Sequence, residues 1–190
     1  MDKTDKELIR EYVSGNEDAF YALANRHLKP VYNFVYRIVL DRSEADDAVQ
    51  ETFLKLWRNI GKYKEDENFK SWLYRIARNT AIDSLRKKNR KKPIAFSFLG
   101  GNDDTPIEET IADPAPLPDE LVALAENKEL VESLLKNLSP SDREIIVLKY
   151  AEQMTFNEIG EILGEPLNTV KSRHRRALLK LREFLLKLYR

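Results

Sequence analysis

Cysteine is absent from this 190-residue chain, and that absence removes a disulfide framework, a thiolate nucleophile and any cysteine-based metal site. A reducing cytoplasm is the compartment such a chain suits. Histidine is almost missing as well, with only His27 and His174, and six glycines leave no glycine-rich phosphate loop. The sequence therefore offers no catalytic constellation and no cofactor motif, and neither enzymatic activity nor a small-molecule substrate is expected. No apolar run approaches the roughly 18 residues a membrane span requires. The opening MDKTDKELIREY alternates charge too densely for a secretory leader. Direct membrane insertion is not expected.

Net charge is lacking too: 32 basic and 32 acidic side chains cancel, and the isoelectric point is near 6.8. Taken alone, this argues against a uniformly basic nucleic-acid binder. The distribution points elsewhere. Residues 70–92 hold nine Lys/Arg against one acid, Asp83, and residues 168–190 hold eight against one, Glu183. Between Lys92 and Lys128 lie eight acids and no Lys or Arg. Two separated basic stretches, each closing a predicted domain, can each face phosphate.

Strand-like alternation is also missing, and what replaces it is helical periodicity. Leu8, Ile9, Tyr12 and Val13, then Phe20, Leu23 and Ala24, then Val31, Phe34, Val35, Ile38 and Val39 repeat at helical spacing. Ser43 with Asp46 predicts a capping box for the next helix, whose apolar stripe runs Ala45, Ala48, Val49, Phe53, Leu56, Trp57, Ile60. A further helix is predicted from about Phe69 to Arg90. Residues 93–118 hold five of the eight prolines, Gly100-Gly101 and an acidic run, which predicts an extended linker. Within it, Ile94, Ala95, Phe96, Phe98 and Leu99 form an uncharged apolar patch. Helices resume from Asp119, with Leu121, Leu124, Ala125, Leu130, Leu134, Leu135 and Leu138 as their apolar positions; Ser139-Pro140 then opens another. The expected fold is all-α: two small helical domains, 1–92 and 119–190, joined by a flexible linker over 93–118.

The segment TFNEIGEILGEPLNTVKSRHRRALLKLREFLLKLY predicts a helix-turn-helix. Thr155 caps its first helix, Gly164 supplies a left-handed end, and Gly160 and Val170 fall at the small and core positions. Pro166 bars continuation, and Asn168 or Thr169 is placed to cap the second helix. Val170, Ala177, Leu178, Leu181, Phe184, Leu185 and Leu188 form its apolar stripe; His174 lies beside that stripe as a core residue. Lys171, Ser172, Arg175 and Arg176 point away, clustered in the first two turns, where a recognition helix meets a major groove.

Two further faces carry chemistry. On the 43–60 helix, Asp46, Asp47, Gln50, Glu51, Leu54 and Arg58 set an acidic cluster beside an exposed leucine, a surface suited to a basic protein partner. On the 69–90 helix, Trp72 and Ile76 continue into Asn79, Asp83, Arg86 and Arg90, a stripe that turns from apolar to polar. Asp83 is spaced to pair with Lys87, and Tyr63 and Phe69 are placed to stack on an unpaired base or to pack in the core. A conventional helix-turn-helix regulator, or a helical enzyme holding a metal on Asp46, Asp47 and Glu51, are the alternatives these residues leave open.

DDAVQETFLKLWRN, FKSWLYRIARNTAIDSLRKKNR, LSPSDREIIVLKYAEQMTFNEIGEIL and PLNTVKSRHRRALLKLRE, in that order, resemble the conserved segments of extracytoplasmic-function (group four) RNA polymerase sigma factors of the sigma-70 family. The resemblance implies a first domain that binds core RNA polymerase through Asp46, Asp47, Gln50, Glu51, Leu54 and Arg58. It implies minus-ten promoter contacts by Tyr63, Asn79, Asp83, Arg86, Lys87 and Arg90, with one base flipped into a pocket under the 61–70 loop. The second domain would read the minus-thirty-five element through Thr169, Lys171, Ser172, Arg173, Arg175 and Arg176, and the linker would thread the polymerase cleft. An anti-sigma factor is the implied regulatory partner. One departure is Asn168, where the family usually carries glycine; asparagine tolerates the same left-handed geometry.

Overall fold

The computed structural model describes residues 3–64, 66–90 and 128–188. Helix α1 (Asp5–Val13) opens on a complete capping box, Thr4 with Glu7. Helix α2 (Glu17–Val39) runs unbroken through Pro30 and buries Val31, Phe34, Val35 and Ile38 completely. Leu40 ends it in the left-handed conformation, at φ 56°, and the chain turns at once into α3 (Arg42–Asn59). The expected Ser43–Asp46 capping box is not what opens α3. Asp41 is the cap, its carboxylate accepting the Glu44 amide at 3.2 Å, so Ser43 falls inside the first turn. A 3-10 turn (Ile60–Lys62) and a short loop lead to α4 (Phe69–Arg90). Helix α1 packs on α2, α2 on α3, and α4 on both α2 and α3.

The second half holds α5 (Lys128–Lys136), α6 (Pro140–Ile146), α7 (Phe156–Leu163) and α8 (Leu167–Leu188). Ser139 caps α6 with proline at its first position, and α6 widens into a π-helical turn over Val147–Ala151. No strand occurs among the described residues. The 93–118 linker, its apolar patch and Leu121, Leu124 and Ala125 lie outside them.

Helices α7 and α8 form the expected helix-turn-helix. Thr155 and Glu158 make a full capping box, and Gly164 ends α7 at φ 69°. Gly160 is needed for a different reason: a Cβ there would stand 2.9 Å from the Glu165 carbonyl oxygen and 3.9 Å from Val170. Helix α8 begins at Leu167, earlier than an Asn168 or Thr169 cap allows, so both residues sit in its first turn. Val170, Ala177 and Leu181 are buried along it, with Leu178, Phe184 and Leu185 half-buried. His174 is 9% exposed, packed between Tyr150 and Phe156 as a core residue.

The two halves also pack directly on each other, α2 against α6 and its π-turn and α4 against α7, a contact that the sequence did not announce. It is built on charges. Asp142, Arg143 and Glu144 are successive residues of α6, and all are buried, Glu144 completely. The Arg143 guanidinium donates to the Leu135, Leu138 and Ile38 carbonyls at 2.8, 3.0 and 2.5 Å, gathering backbone acceptors from the ends of α5 and α2. Burial lowers its pKa to about 10, so the cation persists at neutral pH.

Adding a methyl at Gly160 should lower stability by about 1–3 kcal/mol, since its close neighbour is backbone and cannot swing away. Thermal unfolding of Gly160→Ala checks this; an unchanged midpoint would mean that the α7–α8 turn is looser than described.

Candidate nucleic-acid interface

The outer side of α4 is the first of three surfaces. Asn79, Asp83, Arg86 and Lys87 are all exposed. Asn79 Oδ1 accepts from the Arg78 guanidinium at 3.2 Å, and its side-chain amide also carries donor hydrogens. The expected Asp83–Lys87 pair does not form; Asp83 instead lies 3.6 Å from Arg86, one residue closer along the helix. Arg90 closes α4, with its side chain outside the described residues.

Three bonds tie this helix to α3: the Ser84 hydroxyl donates to Glu44, Lys88 Nζ to Asp41 Oδ2 at 2.7 Å, and Lys55 Nζ to Thr80 Oγ1 at 3.3 Å. Asp41 thus caps α3 and anchors the end of α4 together. The hydrogen bond from Lys88, followed by the Glu44 amide, holds its carboxyl below the usual carboxylate range.

At the start of α4, Tyr63 packs edge-on to Phe69 at 5.7 Å and tilted against Trp72 at 5.5 Å, and its hydroxyl donates to the Glu67 carbonyl at 2.6 Å. Phe69 is core, 5% exposed, and also meets the His27 ring. Tyr63 and Trp72 are half-buried, so the open faces of this cluster belong to them.

The second surface is α3. Asp46, Asp47, Gln50, Leu54 and Arg58 are exposed, and Glu51 is half-buried near Lys55. Trp57, expected in the core stripe, is instead 52% exposed. With Leu54 it continues into an apolar groove completed by Tyr21, Leu28 and Tyr32 of α2 and rimmed by Asp46 and Asp47. Sequence reasoning missed the α2 side. Tyr21, Leu28 and Tyr32 recur at intervals of seven and four, and that second stripe on an already amphipathic helix was the available signal.

The third surface is the start of α8. Thr169, Lys171 and Ser172 are exposed, with the Ser172 hydroxyl bonded to the Asn168 carbonyl at 2.8 Å; Arg175 and Arg176 are half-buried. Arg173 departs from the expected DNA-facing set. Its side chain is 12% exposed and is held by Glu165, by Glu144 at 3.2 Å and by the Ser141 carbonyl at 2.7 Å. Burial opposes its charge, but the two carboxylates outweigh that and stabilise the cation. Among the described residues no group of three or more His, Asp or Glu is arranged to hold a metal, Asp46, Asp47 and Glu51 included.

A helical chain with a braced basic helix in one half and a helix-turn-helix in the other has the build of a DNA-binding transcription protein. Residues 23–91 match Sigma-70 region 2 and residues 134–183 match Sigma-70 region 4. The chain is 33% identical over 183 residues to the ECF RNA polymerase sigma factor SigW of Bacillus subtilis, covering 96% of this chain and 97% of that one. It is 30% identical to the ECF RNA polymerase sigma-E factor of Haemophilus influenzae, covering 92% and 91%. Among solved structures, the sigma factor RpoE of Bartonella quintana, in complex with the anti-sigma factor NepR, superposes with a TM-score of 0.66 at 27% identity, covering 90% of this chain and 98% of that one. CnrH, in complex with the cytosolic domain of CnrY, gives 0.67 at 27% identity, covering 95% and 96%. This chain belongs to the extracytoplasmic-function sigma factors of the sigma-70 family, transcription initiation factors that direct RNA polymerase to promoters.

Arg173 and Lys171 differ in what holds them. Arg173→Ala should cost about 2–4 kcal/mol of stability by leaving Glu165 and Glu144 short of a cation. Exposed Lys171→Ala should stay within about 0.5 kcal/mol. Denaturant unfolding of both variants checks this, and equal losses would return Arg173 to the DNA-facing set.

Proposed function

We propose that the chain is a cytoplasmic, non-enzymatic initiation factor whose residues 1–92 bind core polymerase and the minus-ten element. Residues 93–118 link this part to residues 119–190, which read the minus-thirty-five element. The observation that carries the reading is the bracing of α4 on α3. Helix α3 offers Gln50, Leu54 and Trp57 to a partner. Helix α4, tied to it through Asp41–Lys88, Glu44–Ser84 and Lys55–Thr80, offers Asn79, Asp83, Arg86 and Lys87. Polymerase docked on the first face fixes where the second meets DNA.

In this reading, Asp46, Asp47, Glu51 and Arg58 surround the apolar polymerase contact as a charged rim. Arg86, Lys87 and Arg90 follow phosphates, while Asn79 and Asp83 meet base edges, because an amide both donates and accepts and a carboxylate accepts from exocyclic amines. Tyr63 and Trp72 flank the position of an unpaired base, where stacking offsets the few kcal/mol of extrusion without ATP. On α8, Lys171 and Ser172 meet phosphate, and Thr169, Arg175 and Arg176 meet the groove. Arg173 holds the turn in place. Polymerase sets the separation of the two DNA-binding units, which raises the effective concentration of the second contact once the first is made. The RpoE relative was solved with an anti-sigma factor, and a protein inhibitor of that kind is the expected regulator here.

Run-off transcription with reconstituted core polymerase tests the reading, with Asn79→Ala as its sharpest variant. Polymerase binding should persist while permanganate reactivity of minus-ten thymines falls to background, and a pre-melted bubble should restore part of the transcript. Wild-type opening with unchanged sequence preference in this variant would remove Asn79 from the minus-ten contact.

A further inference from the structure

His27 has no part in the function proposed above, yet it joins two structures that do not touch the same partners. Its side chain is 13% exposed. Nε2 lies 2.8 Å from Asp5 Oδ2, 22 residues away at the start of α1. A carboxylate offers only acceptors, so the proton of this bond is on Nε2. The same ring meets Phe69 of α4 at 5.4 Å between centroids, with the planes at 65°, the edge-on packing that aromatic quadrupoles favour.

Asp5 is itself fixed. It follows the Thr4 cap, whose hydroxyl and amide exchange hydrogen bonds with Glu7. Asp5 Oδ1 accepts from Arg26 Nη1 at 2.6 Å, and Arg26 Nη2 donates to the Lys3 carbonyl at 2.6 Å. Adjacent residues of α2 thus grip one carboxylate by both of its oxygens. Ion pairs this exposed add little stability, and α1 already packs through buried Leu8 and Ile9. What the clasp supplies is direction. The second torsion of a histidine side chain is otherwise broad, and the bond at Nε2 fixes the plane of the ring.

Direction matters because of what Phe69 supports. Phe69, 5% exposed, packs against Tyr63 at 5.7 Å and Trp72 at 6.1 Å, and those two half-buried rings meet each other at 5.5 Å. A recognition site works only when the residues packed behind it hold it to within about 0.5 Å. Behind Phe69 on the α2 side stands the His27 ring.

We infer that His27 is a positioning residue for the minus-ten base site: clasped by Asp5 of α1, its ring backs Phe69 and so sets where Tyr63 and Trp72 stand to receive an unpaired base. Helix α1 thereby contributes to promoter opening without touching DNA. The inference rests on the reading of Tyr63 and Trp72 as the stacking pair.

The test is equilibrium binding of holoenzyme to a single-stranded oligonucleotide carrying the minus-ten sequence of a promoter mapped by run-off transcription. A parallel series carries one abasic site at each position in turn. For the wild type, removing the stacked base should weaken binding roughly five- to a hundredfold at one position. His27→Gln keeps a donor for Asp5 but has no ring, and Asp5→Ala keeps the ring but frees it. In both, the ratio of intact to abasic affinity at that position should fall by at least about threefold. Circular dichroism, core polymerase binding and binding to a duplex minus-thirty-five fragment should stay unchanged. A wild-type ratio in both variants, or equal weakening of intact and abasic strands, would overturn the positioning role and leave the base site standing. A change in His27→Gln alone would overturn the part assigned to Asp5. A wild-type holoenzyme indifferent to an abasic site at every position would overturn the base site itself, and the role of His27 with it.

Discussion

A carboxylate shut away from water must find cations, and Glu144, completely buried, takes one from each side of the molecule. Arg173 comes from the helix-turn-helix and Arg78 from the basic helix of the first half. Around that contact the rest is arranged. Arg143, the preceding residue, collects the carbonyls at the ends of α5 and α2, and Asp142, the one before it, holds Lys180 of α8 at 2.7 Å. Three consecutive charged residues on one short helix thus organise the second half internally and fasten it to the first.

This arrangement divides the cations of an electrically neutral chain into two kinds. Arg78, Lys88, Arg143 and Arg173 are structural: each is held by a carboxylate or by backbone carbonyls at hydrogen-bonding distance. Arg86, Lys87 and Lys171 stand on the solvent side of the same helices. A basic stretch in sequence is therefore a mixture of braced and exposed cations, and only the partners around each residue tell them apart. Under the proposed function the braces matter to the exposed cations, because a long flexible side chain recognises DNA usefully only when the backbone carrying it is fixed.

Much of the fold was legible because helical periodicity and capping chemistry are local. The Thr155–Glu158 capping box, the left-handed Gly164 and the Ser139-Pro140 start are all written within a few residues, and His174 was placed in the core by its position beside the stripe. Illegible features depended on distant partners. Trp57 continues a core stripe in sequence, yet the groove it lines is completed by α2. Arg173 sits in the same basic run as Lys171 and differs through its partners, among them Glu144, 29 residues away. The Ser43 expectation failed because Asp41, two residues earlier, already caps the helix through the Glu44 amide and leaves Ser43 inside its first turn. The packing of the two halves had no sequence signature, since its polar residues read as ordinary surface. On the three candidate surfaces, the exposed side chains were legible as types, while the groove across α2 and α3 was not.

The claim that Glu144 couples the two halves through Arg78 is tested most directly by a double-mutant cycle in the full-length chain, with Arg78→Met, Glu144→Gln and the pair followed by denaturant unfolding. The account predicts strong non-additivity, with a coupling above about 1 kcal/mol, because the Arg78 substitution matters chiefly while the carboxylate is present. Losses that add to within about 0.5 kcal/mol would contradict it.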